Sequence, residues 1–418
     1  MSVTVSKFPE IVVLTGNPVL IELESHVLAR KSFHKLHLRI LDEDDNIIGE
    51  DALSPVDLKA EFDVSDYLKI DYDADFNMFD FYLYFFRNAN LTKKFKFEYY
   101  ETWQGIDSEN IKTGTTEYIT AVQGGFSFIV NEYYKKHDKS FFADIINPDN
   151  RFLTWQNDKI IDKQDANILY FLAKESGEVY PSFTVYYSDD TTSVENQTVF
   201  SVEQYNVYEF NTSFYANDFE SLEIGKTIVK YEVEIKRSSD DEVLVPAHTY
   251  YINTDYFNQT REFIFRNSFV CFDSICLRGI SETDNKIDRT TGYFSDKKKI
   301  VNSQYIEEIE VNSGWFTYIF DKPILYKEYI IELFNSTEVY ELKYPYIIDI
   351  NIVSKNFTVS KDNKYIHSVE IKYELSGINK FYSNAADASG MTVEPGGNVI
   401  PDGIAFMKID TDFIVKKP

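Results

Sequence analysis

Only two cysteines, Cys271 and Cys276, occur in 418 residues, alongside four methionines and three tryptophans. So few thiols exclude a disulfide-built scaffold and a four-cysteine zinc centre. Positive charge is scarce too: 42 Lys and Arg face 68 Asp and Glu, for a formal net charge of −26. Such a chain has no general attraction to phosphate backbones or anionic lipid, so neither a nucleic-acid partner nor membrane insertion is expected. No stretch approaches the roughly 18 uninterrupted apolar residues of a membrane-crossing helix. The N-terminal "MSVTVSKFPEIVVL" lacks the basic start and small-residue cleavage site of a secretory signal. Synthesis in a cytoplasm without general secretory export is the expectation. Catalytic motifs are missing as well. There is no G-x-S-x-G, phosphate loop, H-E-x-x-H or dinucleotide fingerprint. No catalytic, cofactor-binding or metal-ligating residue is assigned, and no enzyme is expected.

What the chain has instead is aromatics, 31 Tyr and 34 Phe, which favour pleated, half-buried surfaces. Its length allows two to four domains at roughly 100–200 residues each. The fold class expected is mainly β: tandem antiparallel β-sandwiches, the last with one packed helix and so some α+β character. Residues 1–125 read as a sandwich of immunoglobulin or fibronectin type. "IVVLTGNPVLIEL" gives strand, turn, strand, and His34, Leu36, Leu38 and Ile40 alternate with polar neighbours. Gly124-Gly125 marks the first boundary. Residues 126–259 read as a second sandwich. In "KTIVKYEVEIKR", Val229, Tyr231, Val233 and Ile235 are expected on one face, and Ile228, Lys230, Glu232 and Glu234 on the other. Residues 260–418 form the third unit. Its helix near 322–335 has Asp321 as cap, Pro323 in the first turn, and Tyr326, Tyr329, Ile330, Leu333 and Phe334 on one face. The stretch 384–403, rich in Gly, Pro and Asn, reads as a long loop or arm, with "IAFMKIDTDFIV" returning as a strand.

Several candidate sites fail on spacing. The cysteines are five residues apart, so on one strand they are separated by roughly 16 Å and face opposite ways. They are expected to be buried, reduced and inert. "DEDDN" (42–46) and "DYDADFN" (71–77) have alternating carboxylates but lack the glycine at position six and the glutamate at position twelve of a calcium loop. His34 and His37 fall on opposite faces of a strand and make a poor metal pair. Trp103, Trp155 and Trp315 could stack on sugar rings if exposed, and belong to the core if buried.

The segment "FIFRNSFVCFDSICLRGI" has an aromatic strand, Arg-Asn-Ser, a turn, Phe-Asp, a hydroxyl residue and a strand ending in glycine. In this it resembles virion and tail structural proteins of phages and prophages of the Bacteroides group. Arg266, Asn267, Ser268, Phe272, Asp273 and Gly279 carry the match, with Val270-Cys271 standing where that family has Gly. "EEIEVNSGWF", "KEYIIELFNSTEVY" and "YPYIIDINIVSKNFTV" follow in the same order. The resemblance implies a structural turn at Arg266, Asn267, Ser268, Asp273 and Gly279, and a baseplate or tail-tip component of a virion. It would act by contacts with other tail proteins and with further copies of itself. Two other readings remain open from the sequence: a host-surface or glycan-binding adhesin built from the same sandwiches, and a glycan-cleaving enzyme needing two carboxylates across a cleft.

Overall fold

The structure is a computed structural model. It describes residues 3–27, 31–69, 85–106, 111–137, 139–146, 150–255, 260–294, 297–314, 326–343, 346–354, 368–376 and 406–408. The chain is mainly β, in several largely antiparallel sheets that stack into sandwich-like units.

In the first unit, a three-stranded sheet (Val3–Lys7, Leu20–Ser25, Lys59–Asp63) faces a sheet ordered Val12–Leu14, Ile119–Val122, Thr92–Thr102, Lys35–Leu41 and Ile47–Leu53. Alternation explains the packing. Leu36, Leu38 and Ile40 point inward, to meet Ile21, Leu23 and Phe62 of the opposing sheet with Phe95 and Phe97 beside them. Each such aliphatic side chain contributes about 2 kcal/mol by leaving water. Gly16-Asn17-Pro18 carries the chain from one sheet to the other, because Val12–Leu14 and Leu20–Ser25 belong to different sheets.

The second unit pairs Asp158–Ile161, Val243–Ile252, Ile228–Arg237, Gly177–Tyr187 and Thr192–Asn196 in order. Phe200–Val202 joins on Gly177–Tyr187. Against this sheet lies a three-stranded one: Ile168–Leu172, Val207–Asn211 and Phe85–Arg87. Phe85–Arg87, which precedes the first boundary in sequence, thus pairs with the second sandwich. Phe85 stacks on Phe200 at 4.2 Å between ring centroids and lies 5.9 Å from Phe171. One expected face is corrected here. Ile228 is buried and Val229 is exposed, the reverse of the simple alternation. The register shifts where Tyr186 and Tyr187 pair with Lys230 and Ile228, and this bulge turns one residue over.

The third unit is one antiparallel sheet. Its order is Phe272–Leu277, Arg261–Arg266, Val339–Lys343, Tyr346–Ile352, Glu370–Leu375, Lys297–Asn312 and Ser281–Phe294. Phe406–Lys408 adds to Tyr346–Ile352, so part of the expected returning strand is present. The helix Tyr326–Asn335 lays Tyr329, Ile330 and Leu333 on Phe263, Phe265, Ile348 and Tyr373. Asp321, Pro323, the arm expected at 384–403, and residues 71–77 lie outside the described residues. A second helix, Phe128–Lys136, corrects the expectation of a single one; the Ser127 side chain caps it by accepting from the Val130 N–H. None of its residues is buried, so it lacks the apolar stripe by which helices announce themselves.

A further apolar cluster belongs to no single unit. Val12, Leu14, Leu91 and Val122 of the first, Tyr170, Leu172 and Val207 of the second, and Ile264, Phe269, Phe272 and Ile347 of the third pack together. The three units are joined through a shared core.

Candidate functional site

The Arg266-Asn267-Ser268 turn sits at that junction. Asn267 organises it: its Oδ1 accepts from the N–H groups of Phe269 (2.9 Å) and Cys271 (3.2 Å), and its Nδ2 donates to the Leu153 carbonyl at 2.9 Å. Backbone bonds Asn267 N–H to Cys271 O and Val270 N–H to Asn267 O close the loop. Val270 has φ +59, the left-handed conformation that glycine adopts freely and a β-branched residue resists. Arg266 donates through Nε to Glu338 at 2.7 Å, and its guanidinium covers the Phe272 ring. Ser268 bonds Glu332 through both its N–H and its hydroxyl. The Ser268 carbonyl accepts from the Gly125 N–H at 2.8 Å. Gly124, at φ +118, lies where a Cβ would come within 2.5 Å of the same Ser268 oxygen. Asp273 accepts from Thr154 Oγ1 at 2.8 Å and from the Tyr329 hydroxyl. Gly279 passes so near the Asn312 carbonyl that a Cβ would lie 2.3 Å from it. Arg266, Asn267, Ser268 and Asp273 therefore tie the second unit and the helix to one loop, a mechanical hub, whereas Gly279 is corrected to a separate place: it lies past the far end of the strand Phe272–Leu277 and meets the long strand there.

Beside the hub lies a buried polar layer between the second and third units. Glu262, Ser274 and Cys276 project from one sheet towards Lys159, Asp162, Asp165 and Asn167 of the other. Lys159 Nζ donates to Asn167 Oδ1 and to Ser274 Oγ, each at 2.7 Å. Ser274 Oγ in turn donates to the Ala166 carbonyl at 2.6 Å, and Glu262 Oε1 accepts from the Ala166 N–H at 2.7 Å. Burial lowers the affinity of Lys159 for its proton, raises that of Glu262 well above the usual carboxylate range, and pushes Asp165 up to about 6. These groups were missed from sequence: a lysine in "NDKIID" and an asparagine in "QDANIL" carry no motif, and Ser274 lies 115 residues from Lys159.

Asp162, Asp165 and Cys276 bring a possible ligand atom each to within 4.8 Å of one another. The chemistry of the set argues for an ion pair. Arg278 reaches Asp162 at 3.3 Å and Asp165 at 3.6 Å, while Asn253 Nδ2 donates to Asp162 at 2.7 Å. A cation is thus already supplied. Both cysteines are buried and unbridged, and burial holds both thiols well above their usual range, against nucleophilic use.

The remaining candidates are dispersed. Trp155, half-buried, packs against Phe126 and Phe269 with the Arg151 guanidinium over its ring, so it belongs to the edge of the junction core. Trp103 contacts His34 and Lys31 at the end of the first unit. Trp315 lies outside the described residues. His34 bonds Glu101 at 2.8 Å and His37 bonds Thr102 at 2.9 Å; they share no partner. Asp42 spends its carboxylate on the Asp44 and Asn46 N–H groups of its own hairpin.

One exposed feature stands apart. Ser281–Phe294 and Lys297–Asn312 form a long hairpin, yet among the described residues only Glu308–Asn312 pairs with the rest of the sheet. Beyond that point the two strands pair only with each other, as a ribbon about 33 Å long at 3.3 Å per residue. Ile287, Tyr293, Ile300 and Val301 on it are each more than half exposed. Lys286, Arg289, Lys297, Lys298 and Lys299 outnumber Asp288, Asp296 and Glu307, which makes the ribbon basic in a chain of net charge −26.

Comparison with known proteins gives no relative. No family model matches the chain, and no curated protein does. Among solved structures, a BSP domain of a biofilm associated protein aligns at 9% identity and TM-score 0.16, over 68% of this chain and 63% of that one. A Salmonella alpha-2-macroglobulin mutant aligns at 7% identity and TM-score 0.18, over 98% of this chain and 30% of that one. The chain spans less than two thirds of either, and neither likeness reaches the level at which a shared fold can be argued.

Proposed function

We propose that this protein is a structural component of a phage tail or related assembly, at a baseplate or tail tip, acting through protein–protein contacts and without catalysis. The ribbon carries the reading. Among the described residues it has two unpaired strand edges and four exposed large apolar side chains. A protein that worked alone would keep such edges short or covered, because they template pairing with another chain. Edge addition gives main-chain hydrogen bonds, and an exposed tyrosine flanked by cations supplies an anchor. The basic ribbon complements the acidic remainder of a second copy, so the partner is a neighbouring copy of this chain within the particle, with other tail proteins around it. The hub turn, which ties three units together, suits a part that transmits load.

Asp284 and Glu308 are a cross-strand pair, so a two-residue Asn-Gly turn can replace residues 285–307 without disturbing the sheet. The shortened chain is expected to keep its melting temperature, to lose salt-sensitive self-association in light scattering, and to be missing from purified particles that carry the tagged full chain. Association and incorporation equal to those of the full chain, or particles that carry neither, would overturn the reading.

A further inference from the structure

Lys159 and Asn167 face one another across the turn between Asp158–Ile161 and Ile168–Leu172. Both are buried, at 6% and 1% exposure, and the Lys159 nitrogen lies 2.7 Å from the Asn167 amide oxygen. No carboxylate among the described residues comes within ion-pair distance of that nitrogen; Asp273, Glu262 and Asp165 act on it only from farther away. An ammonium here would have neither water nor a counterion. A neutral amine fits instead. It has two N–H groups, and two acceptors are present, Asn167 Oδ1 and Ser274 Oγ. Its third position is then a lone pair, which makes it a nucleophile in a dry, fixed site.

The asparagine is held as firmly. Its N–H donates to Ser213 Oγ at 2.7 Å, its carbonyl accepts from the Thr212 and Ser213 hydroxyls, and its Nδ2 donates to the Asp165 carbonyl at 3.1 Å. Next to it in the chain, the Ala166 N–H is bound by Glu262. Burial raises the Glu262 carboxyl well above the usual carboxylate range, and Lys159 is near enough to act on it electrostatically.

We propose that Lys159 and Asn167 condense to an intramolecular isopeptide bond. The Nζ lone pair adds to Asn167 Cγ, and the carbonyl oxygen takes up a proton as its double bond opens. The Cγ–Nδ2 bond then breaks as the oxygen returns its proton. A proton from Nζ goes to Nδ2, which leaves as ammonia. The products are one amide and one ammonia, with no oxidant or reductant consumed. Glu262 is the positioning residue of the step: its carboxyl fixes the Ala166–Asn167 backbone beside the amine. The bond would staple the strand Asp158–Ile161 to the start of the next one, at the seam between two units, and would do so whether or not the chain belongs to a tail.

Intact-mass spectrometry of the full chain, purified and incubated at 37 °C, tests this directly. The expected mass is that of the sequence less one ammonia, about 17 Da. A tryptic digest should contain a branched peptide joining Lys159 to Asn167, with no cleavage after Lys159. Lys159→Met should restore the full sequence mass. Glu262→Gln should slow the loss at least tenfold while the variant retains its circular dichroism spectrum, an effect on mass that a purely structural role would not produce. A full sequence mass for the incubated wild-type chain overturns the proposal, and so does a loss mapped to a linear succinimide at another asparagine. The wild-type result decides the matter even if a variant fails to fold.

Discussion

Replacing Asn267 by alanine tests whether the hub turn holds the units together. The side chain supplies the acceptor for two backbone N–H groups, those of Phe269 and Cys271, and donates to the carbonyl of Leu153 in the second unit. Asn267 is 5% exposed and Phe269 and Cys271 1% each, so water cannot replace the lost partners. Each stranded N–H costs about 1–2 kcal/mol and the lost bond to Leu153 about 1 kcal/mol, for about 4 kcal/mol in all. With a urea slope of about 3 kcal/mol per molar, the midpoint should fall by about 1.3 M. Tryptophan fluorescence is a suitable readout, because Trp155 packs 5.1 Å from Phe269 and should report the loosening of this turn. The same substitution should also broaden the transition, as the second and third units lose a shared tie. A fall of less than about 1 kcal/mol, with the transition unchanged in shape, would refute the assignment of Asn267 as the organiser of the junction.

Two further outcomes follow from the same region. Val270→Gly should be close to neutral, within about 1 kcal/mol: relief of the left-handed backbone, about 1–2 kcal/mol, offsets the lost half-buried side chain and the greater freedom of glycine in the unfolded chain. Thermal melts check this, and a loss above about 2 kcal/mol would mean that packing, not backbone strain, governs the position. Glu332, which accepts from Ser268, has its carboxyl pushed up to about 7 from its ordinary 4.5, first by burial. Between these values the unfolded chain releases a proton that the folded chain keeps, so stability is full below pH 4.5 and falls as pH rises to 7. The loss is about 3 kcal/mol. Asp165, pushed up to about 6, adds a slope of the same sign. Glu332→Gln should flatten the urea midpoint between pH 5 and 8, and an unchanged pH profile would count against the buried acid.

Local pattern alone determined the fold class. Alternation at Leu36, Leu38 and Ile40 placed a strand with one dry face, and Tyr329, Ile330 and Leu333 at helical spacing placed a helix on a sheet; both stand in the structure. The helix Phe128–Lys136 was invisible because none of its residues is fully buried, and hydrophobic spacing reports only what is buried. Asn267 and Asp273 were readable as turn residues, since a short polar side chain bonds its own backbone, but their bonds to Leu153 and Thr154 were not. Tertiary structure alone decided that Phe85–Arg87 pairs with the second sandwich, that a bulge turns Val229 outward, and that the strands of the ribbon run on beyond the sheet that supports them. It also brought Lys159, Asn167, Ser274 and Glu262 into one dry layer. The reason is physical: periodicity along a chain says which side chains share a face, whereas the partner that covers that face is set by packing between segments more than a hundred residues apart.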